Sequence, residues 1–121
     1  MATYVDGFVF AVPKTKREKY KKIAKEAAVV WKKFGALEYK ECRAEDVKPK
    51  FVTYTFPKMA KAKPSEEVWF SFIVFKSKAD RTKINAKVMD YFAKKYPGKE
   101  MDMPFDMKRF AYGGFITEVE A

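Results

Sequence analysis

Two segments of the sequence, residues 3–12 and 68–75, carry apolar side chains on both of the faces that an extended strand presents. In the first segment the two alternating sets are Phe8, Phe10 and Val12 against Val5, Val9 and Ala11. Because neighbouring side chains of a strand point to opposite faces, such a segment needs a cover on both sides. This pattern is typical of the central strands of a sheet, and it restricts the chain to folds in which a sheet is buried.

Each of these segments is followed by a predicted amphipathic helix. A capping box from Thr15 to Glu18 begins the first helix and Gly35 ends it, whereas Ser77 and Asp80 begin the second. The apolar stripe of the first helix consists of Tyr20, Ile23, Ala24, Ala27, Ala28, Trp31 and Phe34. The stripe of the second consists of Ile84, Val88, Tyr91, Phe92 and Tyr96.

Two weaker strands and one long loop complete the pattern. Residues 36–44 alternate with polar side chains and are predicted to form an edge strand. Residues 109–119 contain Gly113-Gly114, which we interpret as a bulge that bends the last strand. Residues 45–64 contain three prolines and are predicted to form a loop.

The order β-α-β-loop-β-α-β predicts an α+β fold of the ferredoxin-like βαββαβ type. We expect a single domain over residues 1–121, with a four-stranded antiparallel sheet and both helices on one face. Since the central strands are apolar on both sides, the other face of the sheet also needs a cover. A second copy of the chain is the simplest cover, so we expect a homodimer through the sheet face.

The composition excludes several kinds of site. The chain has no histidine and a single cysteine, Cys42, which argues against Ser-His-Asp or Cys-His catalysis, His-ligated haem and most zinc sites. The N-terminal residues lack the features of a signal peptide, and no apolar stretch approaches the ~20 residues of a spanning helix. We expect a cytoplasmic protein without a membrane contact, a cofactor or a metal.

The net charge of +10 raises the question of an anionic partner. The basic excess lies in residues 14–33, 48–63 and 76–99, which are the helices and the long loop. Its lysines include Lys16, Lys19, Lys22, Lys25, Lys83 and Lys87. A basic nucleic-acid (RNA)-binding module is therefore an alternative function. It is less favoured, because lysine outnumbers arginine and residues 68–75 lack the basic residue and the glycine of an RNA-recognition motif.

Several blocks along nearly the whole chain resemble a known family. They are Tyr4-Val5-Asp6-Gly7-Phe8, Gly35-Ala36-Leu37-Glu38-Tyr39, Glu41-Cys42, Asp46-Val47, residues 70–77, Asn85-Ala86-Lys87-Val88-Met89, Met103-Pro104-Phe105-Asp106, Lys108-Arg109 and Tyr112-Gly113-Gly114-Phe115. The chain is similar to an uncharacterised bacterial family, a domain of unknown function in the dimeric α/β-barrel superfamily. The resemblance implies a homodimer whose two sheets face each other. The superfamily also includes cofactor-independent monooxygenases, haem-degrading enzymes and small ligand-binding domains.

The candidate ligand-binding residues are polar side chains in or beside these strands. They are Tyr4, Asp6, Tyr39, Glu41, Arg43, Asp106 and Tyr112. Asp6 interrupts an apolar strand, so its carboxylate either serves a ligand or has a structural partner such as Arg43, Arg109 or a tyrosine hydroxyl. Tyr39, Glu41 and Arg43 share one face of the second strand, where they either line a pocket mouth or form an edge ion pair.

Asp106 and Tyr112 each have two interpretations. Asp106 follows Met103, Pro104 and Phe105 in a rigid loop that either shapes a pocket or ends in a turn capped by the carboxylate. Tyr112 precedes the glycine pair of the last strand, where the backbone either approaches a ligand or bulges, and we favour the bulge.

The function that accounts for most of these features is a homodimeric domain that binds a small organic ligand near the sheet or the dimer interface. Three alternatives remain open: the RNA-binding module, a cofactor-independent monooxygenase-like enzyme, and a dimer in which all these residues are structural. No catalytic residue is assigned. The sequence favours a binding protein over an enzyme, and any enzyme would be independent of haem and histidine.

Overall fold

The computed structural model describes residues 2–98 and 102–121 of the chain. The described residues form, in order, β1 (Tyr4–Pro13), α1 (Arg17–Lys33), β2 (Glu38–Arg43), α2 (Phe56–Met59), β3 (Glu66–Phe75), α3 (Lys78–Lys95) and β4 (Ala111–Ile116). Short 3₁₀ turns at Lys14–Lys16 and Met107–Arg109 precede α1 and β4.

The strands form one antiparallel sheet in the order β2-β3-β1-β4, which places the two double-sided segments at its centre and β2 at an edge, as predicted. Phe10 of β1 and Trp69 of β3 pack against α1, whereas Ile73 and Phe75 of β3 pack against α3. Because all four side chains lie on one face of the sheet, the two long helices cover that face together. The prediction of a ferredoxin-like α+β fold is confirmed.

The ends of the helices agree with the sequence in part. The Ser77 hydroxyl accepts the Asp80 amide at 3.1 Å and caps α3, and Gly35 follows α1 with a φ of 115°. The predicted capping box from Thr15 is wrong, because Thr15 lies in the first 3₁₀ turn and α1 begins after it without a side-chain cap. Of the helices described, none is long and apolar enough to cross a bilayer.

The second face of the sheet is covered at one end by the chain itself. Ala11 and Val68, which point to this face, are buried beneath the segment between β2 and β3, and α2 packs its Phe56 ring 6.5 Å from that of Phe70. Phe70 and Phe115 remain 45% and 61% exposed on the rest of the face. The segment between β2 and β3 therefore covers part of this face, which the sequence pattern did not predict, and leaves the rest exposed.

The predicted bulge at Gly113-Gly114 is wrong. Gly113 pairs with Gly7 and Gly114 with Asp6 in a continuous register along β1 and β4. Gly114 is instead required because a Cβ there would lie 2.4 Å from the Tyr4 hydroxyl. The glycine therefore makes room for a neighbouring side chain.

Candidate ligand-binding site

A cavity of about 180 Å³ lies between the sheet and the two long helices. On α1, the residues that face the sheet at this level are Ala24 and Ala27, whose small side chains leave the space unfilled. Half of the lining residues are aromatic, and they include Phe8, Phe10, Trp31, Phe92, Phe105 and Phe110. Such a cavity favours an apolar ligand.

The carboxylate of Glu41 lies in this largely apolar wall. Its Oε1 accepts a hydrogen bond from the Tyr20 hydroxyl at 2.8 Å and another from the Ser71 hydroxyl. Its Oε2 accepts a hydrogen bond from the Tyr39 hydroxyl at 2.6 Å. The arrangement follows from the fold, because Tyr39 and Glu41 are two residues apart on β2, Ser71 lies opposite Glu41 on β3, and Tyr20 reaches down from α1.

The two tyrosines are fixed as hydrogen-bond donors. Burial raises the pKa of Tyr20 and of Tyr39, and the negative charge of Glu41 raises both pKa values further. Both phenols therefore stay protonated near neutral pH and point their hydroxyl hydrogens at the carboxylate. This arrangement suits the binding of a hydrogen-bond donor at Glu41, and it does not provide a phenolate nucleophile.

Trp31 connects the cavity to a second polar cluster. Its ring lines the cavity, and its Nε1–H donates to Asn85 Oδ1 at 2.9 Å. Asn85 Nδ2 in turn donates to Asp6 Oδ2 at 3.1 Å. The indole is thus held in place by a hydrogen bond that leads away from the cavity.

The second cluster surrounds Asp6, which is 1% exposed near the start of β1. The Asp6 Oδ1 lies 3.4 Å from Arg81 Nε, and Arg81 Nη2 donates to the Tyr4 hydroxyl at 3.1 Å. The Arg81 guanidinium also lies 4.9 Å from the centre of the Tyr4 ring. Burial, followed by the charge of Asp6, raises the pKa of Tyr112. These contacts balance a buried carboxylate and do not open onto the cavity.

The last two candidates lie elsewhere. Arg43 is exposed at the end of β2, and its charge contributes to lowering the pKa of Glu67, after the larger effect of the Arg17 hydrogen bonds. Asp106 is also exposed, and its carboxylate accepts the Lys108 amide at 2.9 Å, which caps the second 3₁₀ turn. The capping interpretation of Asp106 therefore matches its geometry.

The seven candidate residues are not brought together. Tyr39 and Glu41 line the cavity, Tyr4, Asp6 and Tyr112 surround Arg81, and the remaining two lie at neither site. Neither of the arginines that the sequence suggested as partners of Asp6 lies beside it, because Arg81 and Asn85 take that place. The third suggested partner, a tyrosine hydroxyl, agrees with the structure, since Tyr112 interacts with Asp6.

Three residues of the cavity, Tyr20, Trp31 and Ser71, were missing from the candidates. Tyr20 and Trp31 were assigned to the apolar stripe of the helix, where both do lie. Ser71 interrupts β3 in the same way that Asp6 interrupts β1, so the sequence contained a sign that it faces a polar group. Within residues 2–98 and 102–121, no cluster of three acidic or cysteine side chains is placed to hold a metal ion.

Some helix lysines are engaged within the chain. Lys95 pairs with Glu26 across the two long helices, Lys94 Nζ lies 3.0 Å from Asp90, and Lys33 Nζ lies 5.6 Å from the centre of the Tyr91 ring. Exposed pairs of this kind contribute little to stability, but they reduce the positive charge available to a phosphate backbone. These contacts do not strengthen the nucleic-acid alternative.

The fold and the cavity together define a ferredoxin-like α+β protein with a small apolar pocket between its sheet and its helices. Residues 3–107 match the family described as "Protein of unknown function (DUF1428)", and the chain belongs to this family. It is 47% identical over 117 residues to the uncharacterized protein YbaA of Escherichia coli K12, with 97% of each chain covered. The YbaA protein of Shigella flexneri matches to the same extent.

A solved structure shows the same fold at low sequence identity. A dimeric ferredoxin-like protein from an uncultured marine organism superimposes with a TM-score of 0.66 and 13% identity, and the match covers 100% of both chains. The resemblance to an uncharacterised family with a ferredoxin-like fold is confirmed.

Proposed function

We propose that the protein is a homodimer that binds a one-ring organic ligand in the cavity between its sheet and its helices. The observation that supports this function is an apolar, aromatic cavity of about 180 Å³ with a single hydrogen-bonded carboxylate in its wall. An apolar protein cavity of about 150 Å³ is sufficient to hold benzene. The volume therefore limits the buried part of the ligand to one ring or a branched chain of similar size.

Glu41 sets the polar requirement of the ligand. A carboxylate offers about four acceptor positions, and Tyr20, Tyr39 and Ser71 use three of them. The unused acceptor position favours a ligand with an N–H or O–H donor. A ligand without a donor would desolvate this position without replacing its hydrogen bond to water.

The dimer is proposed from the opposite face of the sheet. Phe70 and Phe115 are 45% and 61% exposed there, although phenylalanine side chains are usually buried. The solved structure with the same fold is a dimeric protein, which is consistent with a second copy at this face. Since the cavity lies between the sheet and the helices, ligand binding and dimer formation use opposite faces of the sheet.

Ligand binding is tested with benzyl alcohol, a neutral one-ring probe with an O–H donor. At ten times its Kd, a ligand stabilises the folded state by about 1.4 kcal/mol, which corresponds to a rise in Tm of about 5 °C for a chain of this size. Amide resonances of residues around the cavity should shift in the same titration. An unchanged Tm together with unchanged cavity resonances would contradict the proposal.

Two alanine-to-leucine substitutions, one in the cavity and one outside it, show where the probe binds. Ala27→Leu places three carbons in the cavity and is expected to abolish the binding of benzyl alcohol while preserving the fold. Ala86→Leu adds the same volume at an exposed position of α3 and should leave binding unchanged. Equal binding by both variants would show that the probe binds outside the cavity.

The dimer is tested by sedimentation equilibrium. Phe115→Lys places a charge on the exposed part of the sheet face and is expected to give a monomer. Val29→Lys is the control, because Val29 is 69% exposed on α1, away from the sheet face. A wild-type monomer at micromolar concentration, or a dimer that survives Phe115→Lys, would rule out this interface.

A further inference from the structure

A groove on the protein surface lies next to the cavity, along the seam between α1 and β2. Lys21, Lys25 and Ala28 of α1 line this groove together with Trp69 of β3. Three further side chains, Ala24, Tyr39 and Glu41, belong to the walls of both the groove and the cavity. The Glu41 carboxylate therefore stands where the buried cavity borders the solvent-facing groove.

The charges follow a fixed order along this line. The cavity wall is apolar, Glu41 comes next with a negative charge, and Lys21 and Lys25 follow in the groove with positive charges. The two lysines are one helical turn apart, so they lie on the same side of α1. Lys21 Nζ is 3.7 Å from Glu18, but this pair is exposed and exchanges readily with another anion.

We propose that the ligand is an α-amino acid with an apolar, one-ring side chain, an inference that rests on the function proposed above. The side chain occupies the cavity, the α-ammonium group binds Glu41, and the α-carboxylate lies in the groove beside Lys21 and Lys25. The apolar side chain, the ammonium group and the carboxylate of the ligand therefore face, in the same order, the apolar wall, the Glu41 carboxylate and the two lysines of the protein. The ammonium group also supplies the donor that the unused acceptor position of Glu41 requires.

Related one-ring compounds fit this order less well. An amine without a carboxylate brings its positive charge to Glu41 but leaves it near two lysines without compensation. A carboxylic acid without an amine brings a second negative charge next to Glu41. A neutral alcohol avoids both repulsions, but it gains neither charge-assisted hydrogen bond.

Four probes with the same phenyl ring separate these contributions. They are L-phenylalanine, 2-phenylethylamine, 3-phenylpropionate and 3-phenylpropanol, titrated into the full-length protein at neutral pH by calorimetry. We expect L-phenylalanine to bind at least about tenfold more tightly than each of the other three, which corresponds to about 1.4 kcal/mol. Equal affinity for L-phenylalanine and the neutral alcohol would overturn the inference.

The roles of the lysines and of Glu41 are separated by surface variants. The double variant Lys21→Gln and Lys25→Gln should weaken the binding of L-phenylalanine about tenfold. It should leave the affinity for 2-phenylethylamine unchanged or raise it. Lys22→Gln is the control, because Lys22 is exposed on the same helix but does not line the groove. Glu41→Gln should weaken both of these probes.

The outcomes distinguish this inference from the proposed function. If 3-phenylpropanol and benzyl alcohol bind in the cavity but the charged groups bring no preference, the inference is wrong and the proposed function stands. If no one-ring probe binds in the cavity, both are wrong. If L-phenylalanine is preferred but the lysine double variant binds it as tightly as Lys22→Gln does, the placement of the carboxylate in the groove is overturned.

Discussion

Gly114→Ala provides a sharp test of the cluster around Asp6. The φ angle of Gly114 is not positive, so the backbone conformation at this position is compatible with alanine. The new Cβ would nevertheless lie 2.4 Å from the Tyr4 hydroxyl, 2.7 Å from Tyr4 Cε2 and 2.9 Å from Arg81 Nη2. Since a phenol ring cannot bend, Tyr4 must rotate away and release Arg81.

The cost follows from the contacts that this rotation breaks. The hydrogen bond from Arg81 to Tyr4, with a charged donor, contributes about 1.5 to 3 kcal/mol, and the cation–π contact about 0.5 to 1 kcal/mol. Replacing glycine by alanine offsets about 0.4 to 1 kcal/mol of this loss, because alanine restricts the unfolded chain. We therefore expect Gly114→Ala to lower the free energy of unfolding by about 2 kcal/mol, or the Tm by about 8 °C.

The assay is urea unfolding with two comparisons. Gly113→Ala is the matched control on the same strand, because its Cβ would meet only the Phe115 ring at 3.7 Å, an ordinary contact, and its effect should stay within about 0.5 kcal/mol. Sedimentation under the same conditions confirms that both variants have the same assembly state. In a Tyr4→Ala background the obstructing ring is absent, so Gly114→Ala should become nearly neutral.

Two results would refute this reasoning. One is a Gly114→Ala protein as stable as the Gly113→Ala protein, which would mean that Tyr4 does not lie against Gly114. The other is an undiminished cost in the Tyr4→Ala background, which would place the cause of the destabilisation outside the contact with Tyr4.

Three further perturbations test other contacts. Arg109 donates two hydrogen bonds of 2.8 Å to Glu66 and lowers the pKa of Glu66 to about 2. Stability from this pair is present above pH ~4.5 and is lost as the pH falls towards 2, so Glu66→Gln should remove up to about 3 kcal/mol of the acid-dependent part, measured by urea unfolding at several pH values. Tyr39 gives a pH dependence of the opposite sign, because burial raises its pKa: its contribution to stability is present below pH ~10 and is lost as the pH rises further. Tyr39→Phe should therefore reduce the slope of the unfolding free energy against pH in the alkaline range by about 1.4 kcal/mol per pH unit. Asp106→Ala should lower the Tm slightly through loss of the cap, and it should leave the shift of the Tm by benzyl alcohol unchanged. A smaller shift would place Asp106 at the ligand site.

The architecture was predictable because its pattern is local. The alternating apolar residues of β1 and β3 required a buried sheet, and polar alternation marked β2 as an edge. The start of α1 was not predictable from Thr15 and Glu18, because a 3₁₀ turn after Pro13 delays the helix, and turn type depends on packing as well as on the capping residues.

The candidate site was predictable only in part, because its residues come from distant segments. Tyr39 and Glu41 were found from their spacing on one strand. Tyr20 was indistinguishable from a core residue in the sequence, since only the register between α1 and β2 brings its hydroxyl to Glu41. Asp6 was correctly singled out as unusual, but its partner Arg81 lies on α3, far along the chain, and only the packing of α3 on the sheet brings the two together.

The two tryptophans of the chain have an experimental consequence, because they lie on different sides of Glu41. Trp31 borders the cavity with its indole hydrogen-bonded to Asn85, whereas Trp69 borders the groove. Their fluorescence emission should therefore respond separately to the buried ring and to the charged end of a bound compound. Trp31→Phe and Trp69→Phe variants would leave one emitter each, so that the filling of each compartment can be followed in time without an attached dye.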